Sequence, residues 1–99
     1  MLFRDMIDLL EMEEGINENG FSALIEVGRE VIFANKKGIR GNEFYLASQN
    51  GYKLELMLVI RSSDYKDQRY LEFESKQYEI VRTYDKGEFI ELICQVFVP

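Results

Sequence analysis

The residues that could carry chemistry in this chain are few and scattered. Gly15-Ile16-Asn17-Glu18-Asn19-Gly20, with Glu26 six residues further on, overlays part of a calcium-binding EF-hand loop. Such a loop needs oxygen ligands at its first, third, fifth and twelfth positions and Gly at its sixth. Asn17, Asn19, Gly20 and Glu26 fit, but the first position is Gly15, which has no ligand side chain, and the eighth is the polar Ser22. The segment reads as a surface turn. Asp64 and Asp67 offer two carboxylates, yet paired carboxylates do acid–base work only across a cleft at a fixed separation. They fall between two strand-like runs and read as a solvated turn. The basic cluster Asn35-Lys36-Lys37-Gly38-Ile39-Arg40 sets three cations beside a Gly, but without the spacing of a phosphate-binding loop. It reads as a solvated loop or a contact for an acidic partner. Cys94 lies on the inward parity of the last strand-like run and is expected to be a buried, inert thiol.

Composition narrows the chemistry further. The chain has 99 residues, a net charge of −6, no His and one Cys. Without His there is no Ser-His-Asp triad, Cys-His pair or His-ligated metal. One Cys makes neither an intrachain disulfide nor a four-Cys zinc site. We therefore expect no catalytic residue, no cofactor, no metal and no enzymatic activity. The acidic balance disfavours adhesive binding to DNA, which needs Lys and Arg to displace counterions, and docking on an anionic membrane. The longest apolar run, Leu56-Met57-Leu58-Val59-Ile60, is too short to span a bilayer. The first residues are neither basic nor followed by a signal-peptide stretch, so the expected location is a cytoplasm. A chain of this size holds one modest core, hence one domain over 1–99.

The elements that position these residues are mainly strands. Residues 53–61 put Leu54, Leu56, Leu58 and Ile60 on one face, and 69–74, 77–84 and 88–98 alternate in the same way. Asp85-Lys86-Gly87 predicts a tight hairpin with Gly in the left-handed position. A long run over about 22–36 gives Ile25, Val27, Val31 and Phe33 a common parity and predicts a bend near Gly28. Asn42 as N-cap and Gly51 past the end predict a short helix over about 42–50. The first segment, from Leu2 to Glu14, fits an amphipathic helix by propensity and equally a strand with Ile7 and Leu9 inward. Gly-bounded loops are expected at 13–21 and 37–52.

Two strands carry apolar residues on both faces. Phe89, Ile93 and Phe97 stand opposite the main apolar face of the last strand, and Met57 and Val59 opposite that of 53–61. Such strands have both faces covered, here either by the chain's own helix and N-terminal segment or by another protein.

In order and spacing the chain resembles the bacteriophage head–tail joining family, the head-closure or head–tail adaptor proteins, in the subgroup from phages of Gram-positive hosts. The resemblance runs from about Asp5 to Gln95. It is carried by Val31-Ile32-Phe33-Ala34-Asn35-Lys36-Lys37, Glu43-Phe44-Tyr45 with Ala47, Gly51, Asp64-Tyr65, Leu71-Glu72-Phe73, Tyr78 to Tyr84, and Glu91-Leu92. It implies a small antiparallel β-barrel or sandwich of about six strands with one short helix and long loops, and makes the first segment a strand. It also implies a non-enzymatic virion protein, assembled in the host cytoplasm, that forms a ring beneath the portal. Its implied partners are a portal-side adaptor and a tail-completion or tail-terminator protein, with DNA passing through without sequence-specific binding. The expected interfaces are the Asn35, Lys36, Lys37 and Arg40 loop, the helix with Glu43, Phe44 and Tyr45, and the outer face of the last strand with Phe89, Ile93 and Phe97. The alternative is a small β-barrel binding module for an oligonucleotide or peptide, with Tyr45, Tyr70, Tyr78 and Tyr84 as stacking platforms.

Overall fold

The computed structural model describes residues 2–38, 41, 49, 51 and 54–97. Alternating apolar residues, broken by Gly- and Asp-containing turns, give six antiparallel strands: β1 (Asp5–Ile16), β2 (Ser22–Lys37), β3 (Leu54–Arg61), β4 (Tyr70–Phe73), β5 (Lys76–Asp85) and β6 (Phe89–Val96). They close into a barrel in the order β1-β2-β3-β6-β5-β4, as β1 pairs with β4. Of the helix expected over 42–50, all but Gln49 lies outside the described residues.

The barrel interior is filled by one parity of every strand. Ile7 and Leu9 of β1, Ile32 and Ala34 of β2, and Leu56, Leu58 and Ile60 of β3 meet Leu71, Phe73, Ile80, Ile90, Leu92 and Cys94 in one cluster. Each large aliphatic side chain buried there contributes roughly 1.5–3 kcal/mol. That burial settles the first segment. Its Leu, Met and Glu favour a helix, but only a strand puts both Ile7 and Leu9 inside a closed sheet, so packing overrides propensity. A smaller cluster of Leu54, Met57 and Ile93, with Val81 and Tyr84 against it, covers the other side of β3 and β6.

The turns follow local chemistry. Asp85 Oδ1 accepts from the Gly87 N–H at 2.9 Å, and Gly87 sits at φ +92°. The β4–β5 turn is Glu74-Ser75, one residue earlier than the spacing suggests, with both residues at positive φ. This is the left-handed pair that a two-residue hairpin demands. The segment expected as a loop from residue 13 instead continues β1 to Ile16, paired in register with β2 from Ser22. Only Asn17 to Phe21 turn. The Asn17 carboxamide oxygen, a ligand in the calcium reading, accepts the N–H groups of Asn19 and Phe21 at 3.0 Å each.

The expected bend near Gly28 is a register shift: Glu11 faces Gly28 while Met12 faces Glu26, leaving Val27 over. A Cβ at Gly28 would meet the Glu11 carboxylate at 2.9 Å, so the crossing is close. Beyond this bulge the β1–β2 hairpin leaves the barrel wall as a two-stranded arm. The molecule measures 43 × 31 × 22 Å with a radius of gyration of 14.1 Å, above the ~13 Å of a compact domain of this length.

Candidate functional site

The residues singled out on the last strand are engaged within the chain. Ile93 is fully buried in the smaller cluster. Phe89 is half-buried against Phe3, ring centroids 6.0 Å apart, and the Arg61 guanidinium lies 5.5 Å from the same Phe3 ring. Phe97 packs on Tyr70 at 4.8 Å. The N-terminal segment therefore serves as a cover for part of this face, one of the two arrangements the sequence leaves open.

Asn35 is also used structurally. Its carboxamide oxygen accepts the Arg4 N–H at 2.8 Å, and its amide donates to the Leu2 carbonyl at 3.0 Å, pinning that segment to β2. The Lys36 N–H donates to Asp5 at 3.0 Å, while the Lys36 and Lys37 side chains are exposed. Arg40, Glu43, Phe44 and Tyr45 lie outside the described residues.

The exposed apolar surface is elsewhere. Among the described residues, all the exposed large hydrophobic side chains fall between Leu2 and Phe33. Met6 and Phe33 face each other across β1 and β2, 58% and 60% exposed, with Val31 next along the strand at 55%. These three form an apolar patch on the outer wall of the barrel. Ile16, Phe21, Ile25 and Val27 are exposed on the arm. The common parity of Ile25, Val27, Val31 and Phe33 does not survive the bulge. Ile25 pairs with Glu13, on the parity of Ile7 and Leu9, whereas Val31 and Phe33 pair with Asp8 and Met6 on the outer parity. The outer patch was missed because alternation names two faces without saying which one a barrel encloses.

At the root of the arm Arg29 ties three strands together. Its Nη1 donates to Asp8 of β1 at 2.5 Å and to Glu72 of β4 at 3.1 Å, and its Nε and Nη2 grip both carboxylate oxygens of Glu26 at 3.0 and 2.7 Å. The hydrogen bonds from Arg29, with its charge, hold the Glu26 carboxyl below its ordinary range, and the carboxylates hold the guanidinium proton more firmly. Arg29 and Glu26 are surface groups, so the clamp orients more than it stabilises.

Two shallow grooves flank the segment between the short 3-10 turn (Ser62–Asp64) and β4. One, of about 250 Å³, lies between Leu10, Met12 and Tyr70; the other, of about 320 Å³, lies between Glu11, Arg29 and Gln68, and Lys66 lines both. Asp64 and Asp67 belong to this connection, and the Tyr65 hydroxyl donates to the Gln68 carbonyl at 2.9 Å, bracing it. Glu91, the buried charged residue among those described, lies on the outer parity of β6 with Lys86 Nζ at 3.7 Å. Burial pushes the Cys94 thiol up to about 12, which leaves it protonated and unreactive at neutral pH. Of the tyrosines offered as stacking platforms, Tyr78 is buried in the main core, Tyr70 packs against Phe97 with the rings tilted by 52°, and Tyr84 packs on the smaller cluster. Tyr45 lies outside the described residues.

The described surface thus combines an apolar patch on the barrel wall with an acidic arm clamped at its root. No family model and no curated protein sequence matches the chain.

Proposed function

We propose that the chain is a head-closure, or head–tail connector, protein of a bacteriophage or prophage. In this role it docks beneath the portal–adaptor complex after DNA packaging, helps retain the DNA and offers the tail its attachment surface. Its partners are a portal-side adaptor and a tail-completion or tail-terminator protein, and copies of it associate into a ring in the particle. DNA passes through without sequence-specific binding, and no catalytic step is involved.

The observation that carries this reading is the exposed patch of Met6, Val31 and Phe33 on a closed six-stranded barrel. A ring of identical subunits needs heterologous contacts, so each copy must present two different adhesive surfaces. An apolar patch on a barrel wall suits one of them. The six-stranded barrel also agrees with the fold that the family resemblance implies. No observation favours an oligonucleotide module over this reading, because Tyr70, Tyr78 and Tyr84 do not share one open face.

The test is deletion of the gene from the phage that carries it, followed by electron microscopy of the lysate. DNA-emptied heads beside unattached tails are expected. Normal, infectious particles would overturn the proposal.

A further inference from the structure

β2 has one side filled by β1 from Ser22 to Ala34. On its other side, among the described residues, it pairs only through Asn35, Lys36 and Lys37 with β3. Among the described residues, Ser22 to Ala34 is therefore an open edge, about 40 Å of backbone at roughly 3.3 Å per residue. Such an edge turns alternate N–H and C=O groups to solvent and is a template for another strand. Apolar side chains line it: Ile25, Val27, Val31 and Phe33 are 39–60% exposed.

Charge says which strand fits. Residues 11–30 hold the carboxylates of Glu11, Glu13, Glu14, Glu18, Glu26 and Glu30 against the single cation Arg29, a net −5 of the chain's −6. Arg29 is already shared by Asp8, Glu26 and Glu72, and from outside the segment Lys66 Nζ lies 3.8 Å from Glu30, which leaves the acids of the arm in excess. Two copies meeting edge to edge would set acid against acid, and like charges directly opposite each other on paired strands are destabilising. The same acids attract a strand of opposite sign. We infer that the open edge of β2, from Ser22 to Ala34, is a strand-addition site for an extended segment of a partner protein in which Lys or Arg alternates with apolar residues. Backbone pairing supplies the docking geometry, the exposed apolar residues supply burial, and the carboxylates select a cationic occupant and keep copies of the chain apart at this edge.

The inference rests on the connector reading only for the partner's biological identity. Its test uses the full chain, isotope-labelled for amide exchange, with two acetylated decapeptides: one alternating lysine and valine, the other alternating glutamate and valine. The lysine peptide should slow exchange of edge amides between residues 22 and 34 at least tenfold, and the glutamate peptide should leave them unchanged. The double variant Glu26→Lys, Glu30→Lys should reverse this preference; if it does not fold, the two peptides on the unaltered chain decide. Equal slowing by both peptides, slowing confined to other strands, or none overturns the inference. So does concentration-dependent self-association that protects the same edge, which would make a second copy the occupant. A null titration beside a deletion phage with emptied heads removes strand addition and leaves the connector role. Slowed exchange beside normal deletion particles does the reverse.

Discussion

β6 and the outer half of the β1–β2 hairpin are both strands rich in apolar residues, yet they live in opposite surroundings. Ile90, Leu92 and Cys94 of β6 face the barrel interior while Ile93 is buried on the other side, and β3 and β5 pair along both of its edges. In the arm, Ile16, Phe21, Ile25 and Val27 face water, and past the bulge both edges are open among the described residues. An isolated two-stranded ribbon is marginal in water. The arm thus depends on the barrel at its root for its order, while β6 is part of what holds the barrel together. Buried contacts are concentrated in one region and exposed apolar side chains in the other, and a segment with few buried contacts is the first to open locally.

The largest expected effect separates the two regions directly. Leu92→Ala empties a fully buried site and should cost about 2–5 kcal/mol by urea unfolding. Ile25→Ala, on the arm, should cost no more than about 0.5 kcal/mol. Comparable losses would show that the arm is part of the cooperative core and break the contrast.

A second effect concerns the root. Glu26 has its carboxyl lowered from the ordinary 4.5, first by the hydrogen bonds from Arg29. A depressed carboxyl stabilises the folded arm above its unfolded value, and that contribution is lost as pH falls through the folded value. Amide exchange in residues 22–28, corrected for intrinsic rates, should therefore quicken as pH is taken below 4.5 while β6 amides stay protected. Arg29→Ala should produce the fast exchange at neutral pH and remove this dependence on acid. Equal change in β6 would place the clamp in the core's service rather than the arm's.

A third, at the alkaline end, belongs to the barrel alone. The Cys94 thiol is raised by burial from 9 to about 12. A raised group contributes its stability below the unfolded value and loses it as pH climbs towards the folded one. Stability should fall between pH 9 and 12, and Cys94→Ala should remove that part of the fall. In native protein at pH 8, alkylation of the thiol should be orders of magnitude slower than in urea. Rapid native alkylation would mean that β6 opens as readily as the arm.

The smallest effect is expected at the barrel's connection to the 3-10 turn. The Ser62 hydroxyl oxygen is buried without a hydrogen-bond partner among the described residues. Ser62→Ala should keep stability within about 1 kcal/mol of the parent, on the stabilising side, by thermal melting. A clear loss would reveal a bond that this hydroxyl makes.

How far the architecture could be read in advance varies with distance along the chain. β3 to β6 follow from alternation and turn chemistry. The pairs Leu71–Phe73 and Leu92–Cys94 lie two residues apart on one face, and Asp85 with Gly87 closes its turn through contacts two residues long. The first segment resisted, because its helix-forming residues and its strand-like parity of Ile7 and Leu9 point to different elements. Tertiary burial decided between them. The candidate surface was less legible still. Phe89, Ile93 and Phe97 look free on the last strand, but Phe3, Tyr70 and Met57, remote in sequence, cover them. Met6 and Phe33 look like ordinary strand residues until their pairing sets both on the outside of the barrel.

By itself, then, the amino-acid sequence determined the local and additive properties: strand periodicity, turn positions, the lack of His, the net acidity and its concentration between residues 11 and 30. Tertiary structure alone decided which parity faces inward and, among the described residues, where β2 loses its second neighbour and which apolar residues remain exposed. The physical reason is that a period of two distinguishes two faces without naming either as the interior. Only closure of the sheet, through contacts between residues far apart in the chain, makes that choice.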